Sequence, residues 1–307
     1  MASSVAGAIE PKLRQTEIDR ANRKPTESLD AYDLYLQAPA GLHRFTAESI
    51  ADAIVLLKRT LAIDPSYAPA AAMIGYCRAI QVTHGWMAPS ADEIADSVRL
   101  ARLALETLRN DPDTIIWASW TLLRLAGETA LAATLVDRAV ALNPSAAIAW
   151  VSKGWFHALR NQPEAAIEAL ERGLRLSPFD PLGYFTSAGL AWAHLAAHRF
   201  EEASEWADRA LQDAPRYLQP MLIKLAADAH LARLAETRTD LARLAAAHPG
   251  LTSTRRCAWS RSCIPSSSSP ISREYPATSA ARMAARRRVW FTLPRIPIGQ
   301  RGAARRQ

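Results

Sequence analysis

The stretch AHLAAH, Ala193 to His198, holds two of the chain's seven histidines four residues apart. On a helix, His194 and His198 would lie on one face, a spacing that can present two imidazoles to a zinc ion. Zinc needs three or four ligands, and no HExxH glutamate or third ligand stands at a matching offset. A packed or half-exposed histidine is the better reading for both, and for His157. No metal and no cofactor are expected. The acidic pairs Asp92-Glu93 and Glu201-Glu202 stand at helix starts, where carboxylates complement the helix dipole. The sequence contains no GxxxxGK[ST], GxGxxG or GxSxG, so neither a phosphate cradle nor a nucleophile elbow is indicated.

The elements that carry these residues repeat. LLKRTLAIDP (Leu56–Pro65), VDRAVALNP (Val136–Pro144), LERGLRLSP (Leu170–Pro178), ADRALQDAP (Ala207–Pro215) and LARLAAAHP (Leu241–Pro249) are versions of one segment. A weaker version, ARLALETLRNDP, runs from Ala101 to Pro112, with Arg109 at the register of the proline. From Arg109 onward the intervals are 35, 34, 37 and 34 residues, after a first interval of 44. A period near 34 predicts stacked helix pairs of the tetratricopeptide type. Such pairs cannot bury their apolar faces alone and must pack on their neighbours. Close helix crossings need small side chains. Gly154, Ala166 and Gly173 supply them in one unit, Ala132 and Ala139 in the unit before, and Ala203 and Ala210 in the unit after. The proline closing each second helix has no N–H and stops it. The expected fold is all-α, a right-handed solenoid of about six helix pairs. The long first interval places a loop at HGWMAPSADE (His84–Glu93), and Gln37–Ser49 reads as a second loop in the first unit.

Composition bounds the rest. The chain has 307 residues, 49% hydrophobic content and a formal charge of +7. Residues 252–307 hold twelve Arg, no Lys and one acid, Glu274; that segment carries +11, which leaves −4 on residues 1–251. Its arginines are scattered and its aromatics form no RNA-binding motif, so any nucleic-acid contact there is expected to be non-specific. Cys77, Cys257 and Cys263 show neither metal spacing nor a paired framework, which points to a reducing compartment. The first residues lack the pattern of a signal peptide. The uncharged run from Pro181 to His198 contains glycines, hydroxyls and histidines and reads as a buried helix. Together these readings predict a cytoplasmic protein without a membrane partner.

Trp150, Gly154, Ala166 and Pro178 stand at the offsets of the tetratricopeptide consensus, and that resemblance covers roughly residues 31–251. Counting from the consensus puts Trp117, Trp155 and Trp192 on the concave groove, as anchors for a protein or peptide partner or as fill for the inner curve. Trp150 and Phe156 should point into the stack. The groove lacks the Lys/Asn/Arg set with which chaperone-binding relatives hold a terminal carboxylate. A narrower resemblance lies in SVAGAIEPKLRQTEIDRANRKPTESLDAYDLYLQA (Ser4–Ala38) followed by ADAIVLLKRTLAIDPSYAPAAAMIGYC. It is similar to the C-terminal half of bacterial class III adenylate/guanylate cyclase-like regulators, where a TolB-like domain ends in a helix and a link into repeats. The resemblance implies three parts. Residues 1–30 are a helix and linker closing a TolB-like segment, 31–251 are the array, and 252–307 are a basic tail.

No cyclase residue carries over, because the family's catalytic domain and its metal-binding carboxylate pair are not found in the sequence. The implied function is a non-catalytic interaction or signal-input module. Two alternatives stand beside it: the inactive fragment of an interrupted cyclase gene, and a basic-tailed nucleic-acid-associated protein. The tail is either disordered or translated in a shifted frame. Its start in mid-motif favours the shifted frame.

Overall fold

The computed structural model describes residues 30–248. The expected helix at Ser4–Arg20 and the basic tail lie outside the described residues. Within them, α-helices follow one another in antiparallel pairs. The first pair is α1 (Ala31–Gln37) and α2 (Pro39–Arg44) against α3 (Ala47–Ile63). Then come α4 (Ala68–Thr83) with α5 (Ala91–Thr107), α6 (Pro112–Thr121) with α7 (Thr129–Leu142), and α8 (Ala147–Leu159) with α9 (Pro163–Leu176). Last are α10 (Gly183–Ala196) with α11 (Phe200–Asp213), and α12 (Leu218–His230) with α13 (Leu234–Ala247). Six pairs match the six segments found in the sequence, each closing at the end of a second helix.

Local chemistry sets the helix starts. Thr46 and Ser49 form a reciprocal capping box on α3, as Ser90 and Glu93 do on α5. Asp111 Oδ2 accepts the N–H of Thr114 at 2.8 Å, with Pro112 in the first turn of α6. Pro39 likewise opens α2, so the region expected as a loop at Gln37–Ser49 is largely helical. Gly41 meets α3 so closely there that a Cβ would collide with the Ser49 carbonyl.

Small residues allow the pairs to close. An added Cβ on Gly154 would lie 2.5 Å from Leu170 Cγ, and one on Gly173 2.6 Å from Val151 Cγ2. Those two glycines face each other's helices across the α8–α9 crossing. Ala132, Ala139, Ala166, Ala203 and Ala210 are fully buried on their helices.

Every turn from a first to a second helix contains one residue in the left-handed region. These are Phe45, Gly85, Gly127, Asn161, His198 and Ala232, and no other described residue has a positive φ. Four of the turns close with the same bond from the next N–H back five residues: Trp86 to Gln81, Gln162 to His157, Arg199 to His194 and Arg233 to Asp228. This is the Schellman solution to the orphan carbonyls of a helix end. The third turn departs from it. A π-helical segment, Leu122–Ala126, ends α6, and Glu128 N–H reaches back to the Leu122 carbonyl. The 35-residue interval found there has one residue more than the 34 of the following unit, and the π segment absorbs it.

Candidate interaction surface

First helices α4, α6, α8, α10 and α12 lie side by side along the inner layer, and their aromatic residues form a continuous seam. Tyr76 packs on Trp117 with centroids 4.8 Å apart, and Trp155 stacks on Phe185 at 5.0 Å. Trp120 meets Phe156 at 5.2 Å and Phe185 at 5.6 Å. Trp120 Nε1–H donates to Ser152 Oγ at 3.1 Å, and Trp155 Nε1–H donates to the Phe185 carbonyl at 3.1 Å. Neighbouring units are therefore tied by indole hydrogen bonds within an apolar seam.

That placement corrects the expected anchors. Trp117, Trp155 and Trp192 are 4%, 0% and 2% exposed, so none of them offers an open surface to a partner. Trp117 and Trp155 are covered by the adjoining first helices, through Tyr76 and Phe185, because successive units crowd together along the inner curve. Trp150, expected inside the stack, lies instead half-buried at its edge. Its Nε1–H donates to the Pro144 carbonyl at 2.9 Å, and the Arg172 guanidinium covers its ring at 3.9 Å. Phe156 is buried, as its register required.

The histidines resolve in the same way. His198 is the left-handed residue of its turn, φ 59°, and lies beyond the end of α10. The helical four-residue spacing from His194 is thus broken where a shared ion would need it. Among the described residues no group of three or more His, Cys, Asp or Glu side chains could hold a metal ion. His157 Nδ1 lies 2.8 Å from Gln162 Oε1, which steadies its turn.

The inner face is not empty in front of the seam. Leu42 and Phe45, from the first pair, reach across to α10 and α12, which shows that this side of the array is concave. Tyr184 O–H donates to the Leu42 carbonyl at 2.8 Å across 142 residues of sequence. The Phe45 ring lies 5.1 Å from Tyr184, 4.8 Å from Tyr217, 5.0 Å from His84 and 5.3 Å from Trp86. The loop expected at His84–Glu93 runs from His84 to Ser90, since the next helix begins at Ala91, and it supplies two of these rings. Arg78 holds that loop down, through Gln81 Oε1 at 3.0 Å, Met87 Sδ at 2.8 Å and Glu93 Oε1 at 3.1 Å.

Under Phe45 remains a cavity of about 20 Å³, lined by Tyr76, Trp120, Arg124, Tyr184, Phe185 and Tyr217 among others. It has room for about one water molecule and not for a nucleotide. Arg124 comes from the π segment; its Nη1–H donates to Thr83 Oγ1 at 2.9 Å and its guanidinium covers Trp120 at 4.8 Å. Burial lowers the Arg124 pKa from its usual value, pushes Tyr184 well up, and lowers His84 to about 3, so His84 is neutral near pH 7. Cys77, behind this cluster on α4, is fully buried and its thiol is pushed up to about 12 by burial, far from the range of a reactive cysteine.

A second polar cluster binds the last two pairs. Lys224 Nζ lies 2.9 Å from Asp208, 3.1 Å from Asp228 and 3.9 Å from Asp240. Asp228 is fully buried and accepts from Ser204 Oγ at 2.8 Å. Burial pulls the Lys224 pKa down, but hydrogen bonds and charge from Asp208 and Asp228 outweigh it and raise the pKa overall. This cluster ties α11, α12 and α13 together.

Comparison with known proteins agrees with the architecture. Residues 121–181 match the family profile described as Tetratricopeptide repeat. The array is a tetratricopeptide-type solenoid. Its fold is similar to the Cut9–Hcn1 hetero-tetramer of the APC/C, with a TM-score of 0.56 and 16% identity over 80% of this chain and 44% of that one. It is also similar to human IFIT1 crystallised as a dimer with PPP-AAAA, with a TM-score of 0.59 and 11% identity over 76% of this chain and 53% of that one. At these identities the likeness is one of fold alone. In sequence, 109 residues are 29% identical to "Putative adenylate cyclase 3" of Rhizobium meliloti (strain 1021). The match spans 36% of this chain and 19% of that protein, so the chain corresponds to a minor part of its relative's length. Among the described residues no helix is long and apolar enough to cross a membrane.

Proposed function

We propose that this chain is a non-catalytic interaction module that holds a protein or peptide partner on its concave side, in a regulatory setting related to adenylate cyclase-associated repeats. One observation carries the reading. Aromatic side chains from the first, second, third, fifth and sixth helix pairs converge, together with Arg124, on a single recess of the concave side, which Leu42 and Phe45 close over in this structure, so a partner reaches it once that segment lifts. Rigid aromatic surface with a few placed polar groups is how proteins anchor peptides. The recess contains no paired carboxylates and no nucleophile next to a base, which are the groups that hydrolytic or nucleotidyl chemistry requires. The partial match to a cyclase-named protein supports the regulatory setting.

The test has two arms. Purified full-length chain, given ATP or GTP with Mg²⁺ or Mn²⁺, is expected to form no cyclic nucleotide, and turnover that co-purifies with the chain would overturn the non-catalytic reading. Tagged chain captured from its native host should carry a partner that Arg124→Glu loses at least about ten-fold, as expected for a charge placed in a hot spot. A folded Arg124→Glu variant that keeps the partner would move the interaction off the concave side.

A further inference from the structure

In a stacked array each repeat contacts its nearest neighbours, and nothing in that arrangement requires the first pair to touch the fifth and sixth. Here it does, through Leu42 and Phe45: one hydrogen bond from Tyr184 and the rings of Tyr184 and Tyr217. The residue making the ring contacts is also the wrong type for its backbone. Phe45 has φ 47°, the left-handed turn position held elsewhere by Gly85, Gly127, Asn161, His198 and Ala232, and it is the bulkiest of the six. A bulky residue there is strained and persists when its surroundings hold it. A side chain kept at a position where glycine or asparagine would fit better points to a role for its ring. The connection is short, since only Phe45 and Thr46 separate α2 from α3.

We infer that Leu42–Phe45 is an intramolecular occupant of the concave recess, and that the recess recognises a short peptide turn with an aromatic side chain and a backbone carbonyl three residues before it. The carbonyl accepts the hydrogen bond that Tyr184 O–H donates, and the aromatic ring fills the space between His84, Trp86, Tyr184 and Tyr217. A partner with these two features competes with the chain's own segment, so binding opens a site that is closed at rest. The inference rests on the concave-side reading under Proposed function.

The probe is a fluorescein-labelled synthetic peptide with the sequence of residues 38–46, APAGLHRFT, read by anisotropy against full-length protein. Phe45→Ala is expected to bind it at least ten-fold more tightly than the unsubstituted chain, and the peptide with Phe replaced by Ala should bind neither. Equal binding to both proteins, or binding to neither by a Phe45→Ala variant of native helicity, would overturn the inference and leave Phe45 as a brace. Hydrogen exchange on the unsubstituted chain provides a test that does not depend on the variant folding. Amides of residues 41–46 should exchange at least ten-fold faster than those of α8, and faster still in Tyr184→Phe. Exchange as slow as in α8 would show that the segment never leaves. Because the probe needs no native partner, failure here leaves the capture experiment intact, and failure of capture leaves the peptide result intact.

Discussion

The last three helix pairs repeat one compact turn, while the first three vary it, although the second keeps its closing bond from Trp86 N–H to the Gln81 carbonyl. Asn161, His198 and Ala232 sit at the centre of matching three-residue turns, each closed by the same backbone bond. In the first three pairs each turn departs in its own way: an extra short helix ending at Phe45, a long loop after Gly85, and a π segment before Gly127. All three departures deliver side chains to one place: Phe45, His84 and Arg124 line the recess, and Trp86 packs on Phe45. The regular half contributes Tyr184, Phe185 and Tyr217 to the recess from the starts of its first helices, and the irregular half adds side chains from its turns. Irregularity that converges on one recess is better read as function than as drift, since strained or non-repeating backbone needs a compensating role.

The largest effect expected from disturbing the scaffold is at its aromatic seam. Trp155→Ala removes a fully buried ring together with its hydrogen bond to Phe185, and a urea melt should show a loss of about 3–5 kcal/mol. Phe45→Gly removes a ring from an irregular turn but relieves about 1–2 kcal/mol of left-handed strain, so it should cost correspondingly less in the same melt. If the two variants lose equal stability, the distinction between the scaffold's seam and its irregular turns is broken.

Next in size is the polar cluster of the regular half. Asp228→Ala leaves Lys224 half-buried with Asp208 as its nearest partner, and should cost about 3 kcal/mol by denaturant titration. A loss near zero would mean that apolar packing alone holds α11, α12 and α13.

Acid should act on the irregular half through His84, which faces Phe45, Trp86 and Tyr217, with Arg124 and His248 as the charges that disfavour its protonation. Its pKa is lowered from 6.5 to about 3 on folding, chiefly by burial. Between those values the unfolded chain takes up a proton that the folded chain refuses. Stability from this group is therefore intact above pH 6.5 and falls as pH drops toward 3, by up to about 1.4 kcal/mol per pH unit. His194 and His248 are lowered too and act in the same direction. Melting temperatures recorded from pH 7 to pH 4 should flatten measurably in His84→Leu, and an unchanged slope would remove His84 from the account.

The smallest effect sharpens the turn comparison. Ala232 holds a left-handed position that suits glycine, so Ala232→Gly should gain about 0.5–1 kcal/mol in a thermal melt once the added chain entropy is set against the relieved strain. A loss would mean that the last turn is held by contacts of the Ala232 methyl.

The scaffold was legible in the sequence because its signals are local and strong. Prolines after α3, α7, α9 and α11, and the small residues at the α8–α9 crossing, mark the pairs at a fixed period. The inner face was not legible to the same depth. A consensus offset gives the register of Trp117, Trp155 and Trp192, but not how deeply the neighbouring units bury each ring. Nor does periodicity reveal Trp120, which links three units and has no counterpart in the repeat pattern. The contact between Leu42 and Tyr184 joins residues with no local relation, and Phe45 and Ala232 are the wrong residue types to betray a left-handed turn. The extra residue before Pro144 did leave a trace, as a 35-residue interval in a 34-residue rhythm.

A stack of repeats that touch only their neighbours comes apart from its ends, one pair at a time, because the terminal pairs have half the contacts of the middle ones. The hydrogen bond from Tyr184 to Leu42 and the ring contacts of Phe45 fasten the first pair to the fifth and sixth. Neither end can then fray without also giving up contacts at the other. A chain that would otherwise melt like a frayed rope is turned into a loop with its ends tied, and its unfolding becomes more nearly all-or-none. Whatever lifts Phe45 from its place loosens that knot, so a change at a single side chain would be felt as a softening of the whole array.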